Sequence, residues 1–255
     1  MQDWAGCGAI VTGGASGLGA ATARRLAEDG LKVTLFDRNV DLAAQHADAI
    51  GGHFAHVDVS DPASVVAGLD IAVAAHGVPR VLVNCAGIGG AAKTVSRGQA
   101  HDPALFERTI RVNLMGSFNC ASQAAARMVA AEPVGSDGAR GVIVNTASVA
   151  AFDGQVGQLA YAASKGGIVS MTLPMARDLA DKGVRVCTVA PGLFLTPLLH
   201  SLPEDVQVSL GAQVPFPSRL GDPAEYAALV SHITQNSMLN GEVIRLDGAI
   251  RMAPR

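Results

Sequence analysis

Thr12-Gly13-Gly14-Ala15-Ser16-Gly17-Leu18-Gly19 is the stretch whose reading decides the fold. It follows a short apolar run at residues 9–12 and opens an amphipathic segment that ends near Gly30. Strand, glycine-rich turn and helix in that order form the entry of a βαβ unit for a dinucleotide. Glycines let backbone approach a pyrophosphate, and the helix N-terminus favours its negative charge. Gly13, Ser16, Gly17, Leu18 and Gly19 are therefore the candidate phosphate-binding residues. Their spacing departs from G-x-G-x-x-G, so the general fingerprint is met in its physical logic and not letter by letter. Asp37 closes the next apolar run, where a carboxylate accepts both hydroxyls of a ribose and repels a 2′-phosphate. That favours NAD over NADP, with the neighbouring Arg38 pulling the other way.

Outward from this stretch, Val/Ile-rich runs alternate with helical patterns. Strands are expected at 9–12, 32–37, 54–59, 80–84, 142–147, 185–190 and 243–247. Seven strands separated by helices predict an α/β fold: one parallel, doubly wound sheet with helices on both faces, in a single domain over residues 1–255. Asp61-Pro62, Asp102-Pro103 and Asp222-Pro223 each set an N-cap acceptor before a proline at the first helical position, and Glu225 completes a capping box with Asp222. Two long helices are expected at 103–130 and 159–180. The stretch 192–221, with Pro197, Pro203, Pro215 and Pro217, breaks the rhythm and reads as an irregular lid over a site. Its apolar residues Leu193, Phe194, Leu198, Leu199, Leu202 and Phe216 suit a fatty acyl or steroid body.

Composition excludes several classes of function. A net charge of −3 leaves no basic footprint for nucleic acid. Mean hydropathy is +0.30, yet the apolar runs are short, well below the ~18 residues of a membrane span. Cys7, Cys85, Cys120 and Cys187 form no C-x-x-C pair, and the seven histidines show no ligand spacing, so free thiols and no metal are expected. The first strand begins too early for a signal peptide to precede it, which points to the cytoplasm.

Chemistry enters with Tyr161-Ala162-Ala163-Ser164-Lys165 and with Ser148 upstream. Positions i and i+4 share one helix face, so Lys165 can lie beside Tyr161 and favour its phenolate. A phenol of ordinary pKa about 10 then becomes usable near neutral pH.

In these residues and those that follow, the chain resembles the short-chain dehydrogenase/reductase family over essentially its whole length. Thr12, Gly13, Gly17 and Gly19 match the family's glycine motif, Asn84-Cys85-Ala86-Gly87 its Asn-Ala-Gly segment, and Asn113, Ser148, Tyr161 and Lys165 its catalytic quartet. Asp58 and Val59 match the pair bordering adenine. Pro191-Gly192 matches the turn whose following residues, here Phe194 and Thr196, meet the nicotinamide carboxamide. Cys85 stands where many relatives carry another small residue, compatible with a backbone contact. The resemblance implies a Rossmann fold, NAD as cofactor, and a homotetramer built partly on the two long helices. It also implies that Tyr161 is the acid/base, Ser148 holds the substrate oxygen, and Lys165 meets the nicotinamide ribose. Asn113 kinks its helix and holds a water linking Lys165 to solvent.

Asn113-Leu114-Met115-Gly116, the run from Asn145 to Phe152, the run from Pro215 to Pro223 and the run from Arg245 to Met252 are similar to the family members that act on 3-hydroxyacyl-CoA. Reversible oxidation of such thioesters, in fatty-acid or branched-chain amino-acid breakdown, is the implied activity. A hydroxysteroid or secondary-alcohol dehydrogenase is the alternative, and a non-catalytic NAD-bound scaffold a third reading. Gln155, with Ser148 and Tyr161, is a candidate substrate contact; Gln158 is placed like it, and Lys93 and Arg97 are candidates to meet CoA phosphates.

Overall fold

Residues 2–200 and 203–254 are described by a computed structural model. Leu202 of the expected apolar lid lies outside the described residues, as does the side chain of Leu198. The strands and helices alternate as β1 (Gly8–Thr12), α1 (Gly17–Glu28), β2 (Lys32–Asp37), α2 (Val40–Ile50), β3 (His53–His56), α3 (Pro62–His76) and β4 (Pro79–Asn84). A small hairpin, β5 (Val95–Ser96) and β6 (Gln99–Ala100), precedes α4 (Pro103–Ile110) and α5 (Gly116–Ala130). The chain continues through β7 (Gly141–Thr146), α6 (Leu159–Asp178), β8 (Val184–Pro191), α7 (Pro197–His200), α8 (Glu204–Gly211), α9 (Pro223–Gln235) and β9 (Val243–Leu246).

The sheet is seven-stranded, in the order β3-β2-β1-β4-β7-β8-β9, and every neighbouring pair is parallel. Its strands are buried on both faces and sort their side chains by the two-residue period of a strand. Val11, Leu35, Val83, Val144 and Val189 point to the face covered by Ala23 and Leu26 of α1 and by Tyr226, Val230 and Ile233 of α9. Ile10, Phe36, Leu82, Ile143 and Val186 point to the opposite face, under Leu69 of α3, Ala124 and Met128 of α5 and Ala176 of α6. Each fully buried large side chain of this kind contributes about 1.5–3 kcal/mol. Chain order reverses between β1 and β4, so the crevice beyond their C-terminal ends is the switch point where open α/β sheets bind ligands.

The expected caps are present: Asp61, Asp102 and Asp222 accept from the backbone of Ala63, Ala104 and Ala224 at 3.0, 2.9 and 2.8 Å, and Asp222 and Glu225 close the capping box. Four expectations are corrected. The third strand stops at His56, short of Val59, because Ser64 Oγ and not a neighbouring strand receives the Asp58 N–H at 3.0 Å. The helix expected over 103–130 is broken by a π-helical turn, Arg111–Met115, and the second long helix stops at Asp178 before a 3₁₀ turn at Ala180–Lys182. The stretch 192–221 is not irregular over its described residues; it carries α7 and α8, and its base is closed where Leu195 N bonds Gly221 O and Gly221 N bonds Leu193 O, both at 2.8 Å.

Candidate active site

One cleft of about 740 Å³ opens at the C-terminal ends of β1, β4, β7 and β8. At its nucleotide end the turn after β1 folds so tightly that a Cβ on Gly19 would overlap the Gly13 carbonyl oxygen, and one on Gly13 (φ +63°) would lie 2.9 Å from the Ala86 backbone nitrogen. Only glycine fits at these two positions. Ser16 is the N-cap of α1, yet its hydroxyl makes no capping bond and no acidic side chain occupies the first turn. The free N–H groups and the positive end of the helix therefore face the cleft unopposed, which is the environment a pyrophosphate needs. Asp37 is fixed by two backbone donors, Ala15 N at 3.0 Å and Asn39 N at 2.9 Å. Arg38 also lines the cleft and lies 3.8 Å from Asp58. The residues present fit a nicotinamide dinucleotide.

At the other end Ser148, Tyr161 and Lys165 line the same cleft. Ser148 ends the chain's exit from β7, and its Oγ accepts the Ala150 N–H at 3.1 Å. One lone pair is thereby used and the hydroxyl proton is left to donate into the cleft. Lys165 is buried one helical turn after Tyr161, its Nζ 2.7 Å from the Thr146 carbonyl and 5.7 Å from the centre of the Tyr161 ring. Burial lowers the Lys165 ammonium to about 8. The expectation that Lys165 depresses Tyr161 meets a larger opposing effect: burial pushes the phenol up, with the Ser148 hydroxyl pulling it down.

Asn113 does not line this cleft. The π-helical turn directs it behind the wall, where it is fully buried. Its Oδ1 accepts from Ile88 N at 2.8 Å, and its Nδ2 donates to Ile88 O and to Ser164 Oγ, each at 3.0 Å. It thus ties the Gly87-Ile88 wall to α6 one residue before Lys165, while its own carbonyl accepts from Ser117 Oγ at 2.7 Å. Asn84 is likewise behind the wall, donating to Asn145 Oδ1 at 2.9 Å, whereas Cys85, Ala86 and Gly87 line it. Asp58, Val59, Pro191 and Thr196 line the cleft as expected. Phe194 does not: its ring turns into the core beside α9.

Gln155 and Gln158 line both this cleft and an adjoining groove of about 660 Å³ that also holds Lys93. Gln155 is less free than expected, since its Nε2 is bound to Ala253 O at 2.9 Å. Arg97 is apart, at the exposed tip of the β5–β6 hairpin. Sequence reasoning missed Thr146, Tyr226 and Met252. Thr146 holds Lys165 through a main-chain carbonyl and meets Tyr226 Oη at 2.7 Å through its hydroxyl; Met252 lines the cleft from the far end of the chain. Neither main-chain contacts nor proximity across the whole chain leave a local motif.

Fold and cleft together define an oxidoreductase that works on an alcohol carbon with a nicotinamide cofactor. The chain belongs to the short-chain dehydrogenase family, matching it over residues 8–207. It is 57% identical over 250 residues to human 3-hydroxyacyl-CoA dehydrogenase type-2, covering 96% of this chain and 95% of that protein. The Drosophila melanogaster protein of the same name is 52% identical over 249 residues, 96% and 97% covered. The crystal structure of 3-hydroxyacyl-CoA dehydrogenase type-2 from Mycobacterium avium superposes with a TM-score of 0.94 at 41% identity, covering 100% of each chain.

Proposed function

We propose that this enzyme interconverts 3-hydroxyacyl-CoA and 3-oxoacyl-CoA with NAD, the whole chain acting as one dinucleotide-binding domain and residues 192–221 as its lid. The observation that carries the reading is the continuity of one cleft: Asp37 at one end, Ser148, Tyr161 and Lys165 at the other, and beyond them the groove containing Lys93. An alcohol oxygen between Ser148 and Tyr161 leaves the thioester arm that groove as its exit, with Lys93 placed for CoA phosphates. The relatives at 52–57% identity carry this activity in their names.

In oxidation Ser148 donates to the substrate oxygen while Tyr161 Oη, as phenolate, takes the alcohol proton. Bound NAD supplies the redox chemistry, accepting or returning the hydride. Lys165, held by Thr146 O and charged below its pKa of about 8, stabilises the phenolate and would hold the nicotinamide ribose. Asn113 keeps the Gly87-Ile88 wall and α6 in register. Gly13, Ser16, Gly17, Leu18 and Gly19 would hold the pyrophosphate, and Asp37 the adenosine ribose.

Met115 at the end of the π-helical turn, Phe118 of α5 and Leu159 and Leu173 of α6 are between 43% and 53% exposed, which supports a homotetramer built on these helices. Four unpaired cysteines suit a reducing compartment such as the cytoplasm. The test compares kcat/KM for acetoacetyl-CoA with that for a 17-ketosteroid, each with NADH and NADPH. The thioester with NADH is expected to lead. A sterol at equal or higher kcat/KM would favour the hydroxysteroid reading, and tight NADH binding without turnover of either would favour the scaffold.

A further inference from the structure

Beyond β9 the chain does not leave the molecule; it returns to the substrate end of the cleft. Arg245 donates to Asp153 Oδ2 at 2.6 Å, to Asp247 Oδ2 at 2.7 Å and to Ile250 O at 2.9 Å, with its guanidinium carbon 5.2 Å from the centre of the Phe152 ring. Arg251 adds a second contact to Asp247 at 3.2 Å. Asp153 belongs to the loop 152–158 between Ser148 and Tyr161, so one guanidinium ties that loop to the C-terminal segment. Further along, Val156 N bonds Pro254 O at 3.0 Å and Gln155 Nε2 bonds Ala253 O at 2.9 Å. On its other side the segment meets the lid, where Phe216 N bonds Gly248 O at 3.3 Å. Ile250 is buried beneath, 2% exposed. Met252 sits between these fixings and lines the cleft together with Gln155.

We propose that residues 247–254 form a third wall of the substrate end, joining the loop 152–158 to the lid, and that Met252 is the contact that sets how large an acyl body the site accepts. The identity of that body as an acyl group rests on the function proposed above; the role of Met252 does not. A thioether on three rotatable bonds fills irregular space and adapts to apolar ligands of different shape, and its neighbours Ala253 and Pro254 are held at their carbonyl oxygens, by Gln155 Nε2 and Val156 N. The wall is therefore fixed in its backbone and soft at the one side chain facing the ligand. Asp153, Arg245 and Asp247 act as positioning residues, reaching the ligand only through the segment they hold.

The test uses the full chain loaded with dinucleotide, as wild type, Met252→Ala and Met252→Trp. Binding by titration calorimetry and kcat/KM are measured for 3-oxoacyl-CoA thioesters of short and long chain, and in parallel for short and long aliphatic ketones. Met252→Ala should shift the long-to-short preference upward and Met252→Trp downward, each by about tenfold or more, with dinucleotide Kd unchanged. A preference that is the same in all three proteins, or no binding of any ligand by the wild type, overturns the proposal. If ketones are bound and thioesters are not, the acyl-CoA reading fails while the Met252 ratio is still read on the ketones.

Discussion

Lys165 is a charged side chain only 5% exposed, and its ammonium donates to a carbonyl, Thr146 O, at 2.7 Å. Folding lowers its pKa from 10.5 to about 8. Between those values the unfolded chain holds a proton the folded chain has lost, so this residue makes stability rise with pH through that window; below about pH 8 its full cost, roughly 3 kcal/mol, is present. Lys165→Met should therefore be more stable than wild type at pH 7, by about 1–2 kcal/mol once the lost bond to Thr146 is counted, with the gap shrinking toward pH 10. Urea unfolding at pH 7 and pH 9.5 measures this, and a gap that does not change with pH would contradict it. The same variant should lose dehydrogenase activity, the usual exchange of stability for function. At the groove, Lys93→Ala should raise KM for acetoacetyl-CoA several-fold and leave simple ketones unaffected; an unchanged KM removes Lys93 from the CoA site. The Tyr161/Lys165 pair was legible because i,i+4 spacing is local. The opposing effect of burial on Tyr161 was not, since burial is set by tertiary packing and not by local spacing.

Among the elements, the strands declared themselves through short β-branched runs, and the three Asp-Pro caps located their helices to the residue. What stayed hidden were features made by backbone bonding without a side-chain signature. The π-helical turn at Arg111–Met115 leaves no periodicity of its own, so that only the resemblance marked a kink at Asn113, and the β5–β6 hairpin has strands too short to alternate. The turn between β1 and α1 carries its own prediction. Gly19→Ala places a methyl group against the Gly13 carbonyl, so the turn must open and NADH should bind at least tenfold more weakly by fluorescence titration. Wild-type affinity in that variant would show that the turn does not touch the dinucleotide.

For the molecule as a whole, the ends of seven parallel strands gather residues from every third of the chain around one cleft, and the C-terminal segment returns to close it. That convergence follows from the doubly wound order, which the alternation of strands and helices made readable. The return of Met252 beside Gln155 was not readable, because long-range ion pairs such as Arg245–Asp153 leave no local periodicity. With side-chain exposures of 20% for Arg245 and 19% and 8% for Asp153 and Asp247, Arg245→Met takes the cation from Asp153 and leaves Asp247 only the exposed Arg251 at 3.2 Å. The expected loss is about 2–3 kcal/mol, a fall in Tm of about 5–10 °C; an unchanged Tm would show that the segment is held by other contacts. In the proposed reaction Tyr161 exchanges the proton while a hydride passes between NAD and a 3-oxoacyl-CoA. This is tested most directly by following NADH oxidation at 340 nm with acetoacetyl-CoA for wild type and Tyr161→Phe in parallel. Rapid turnover by the wild type, slowed by about 10²-fold or more in the variant with NADH affinity retained, is the expected result. A variant as fast as the wild type would contradict it.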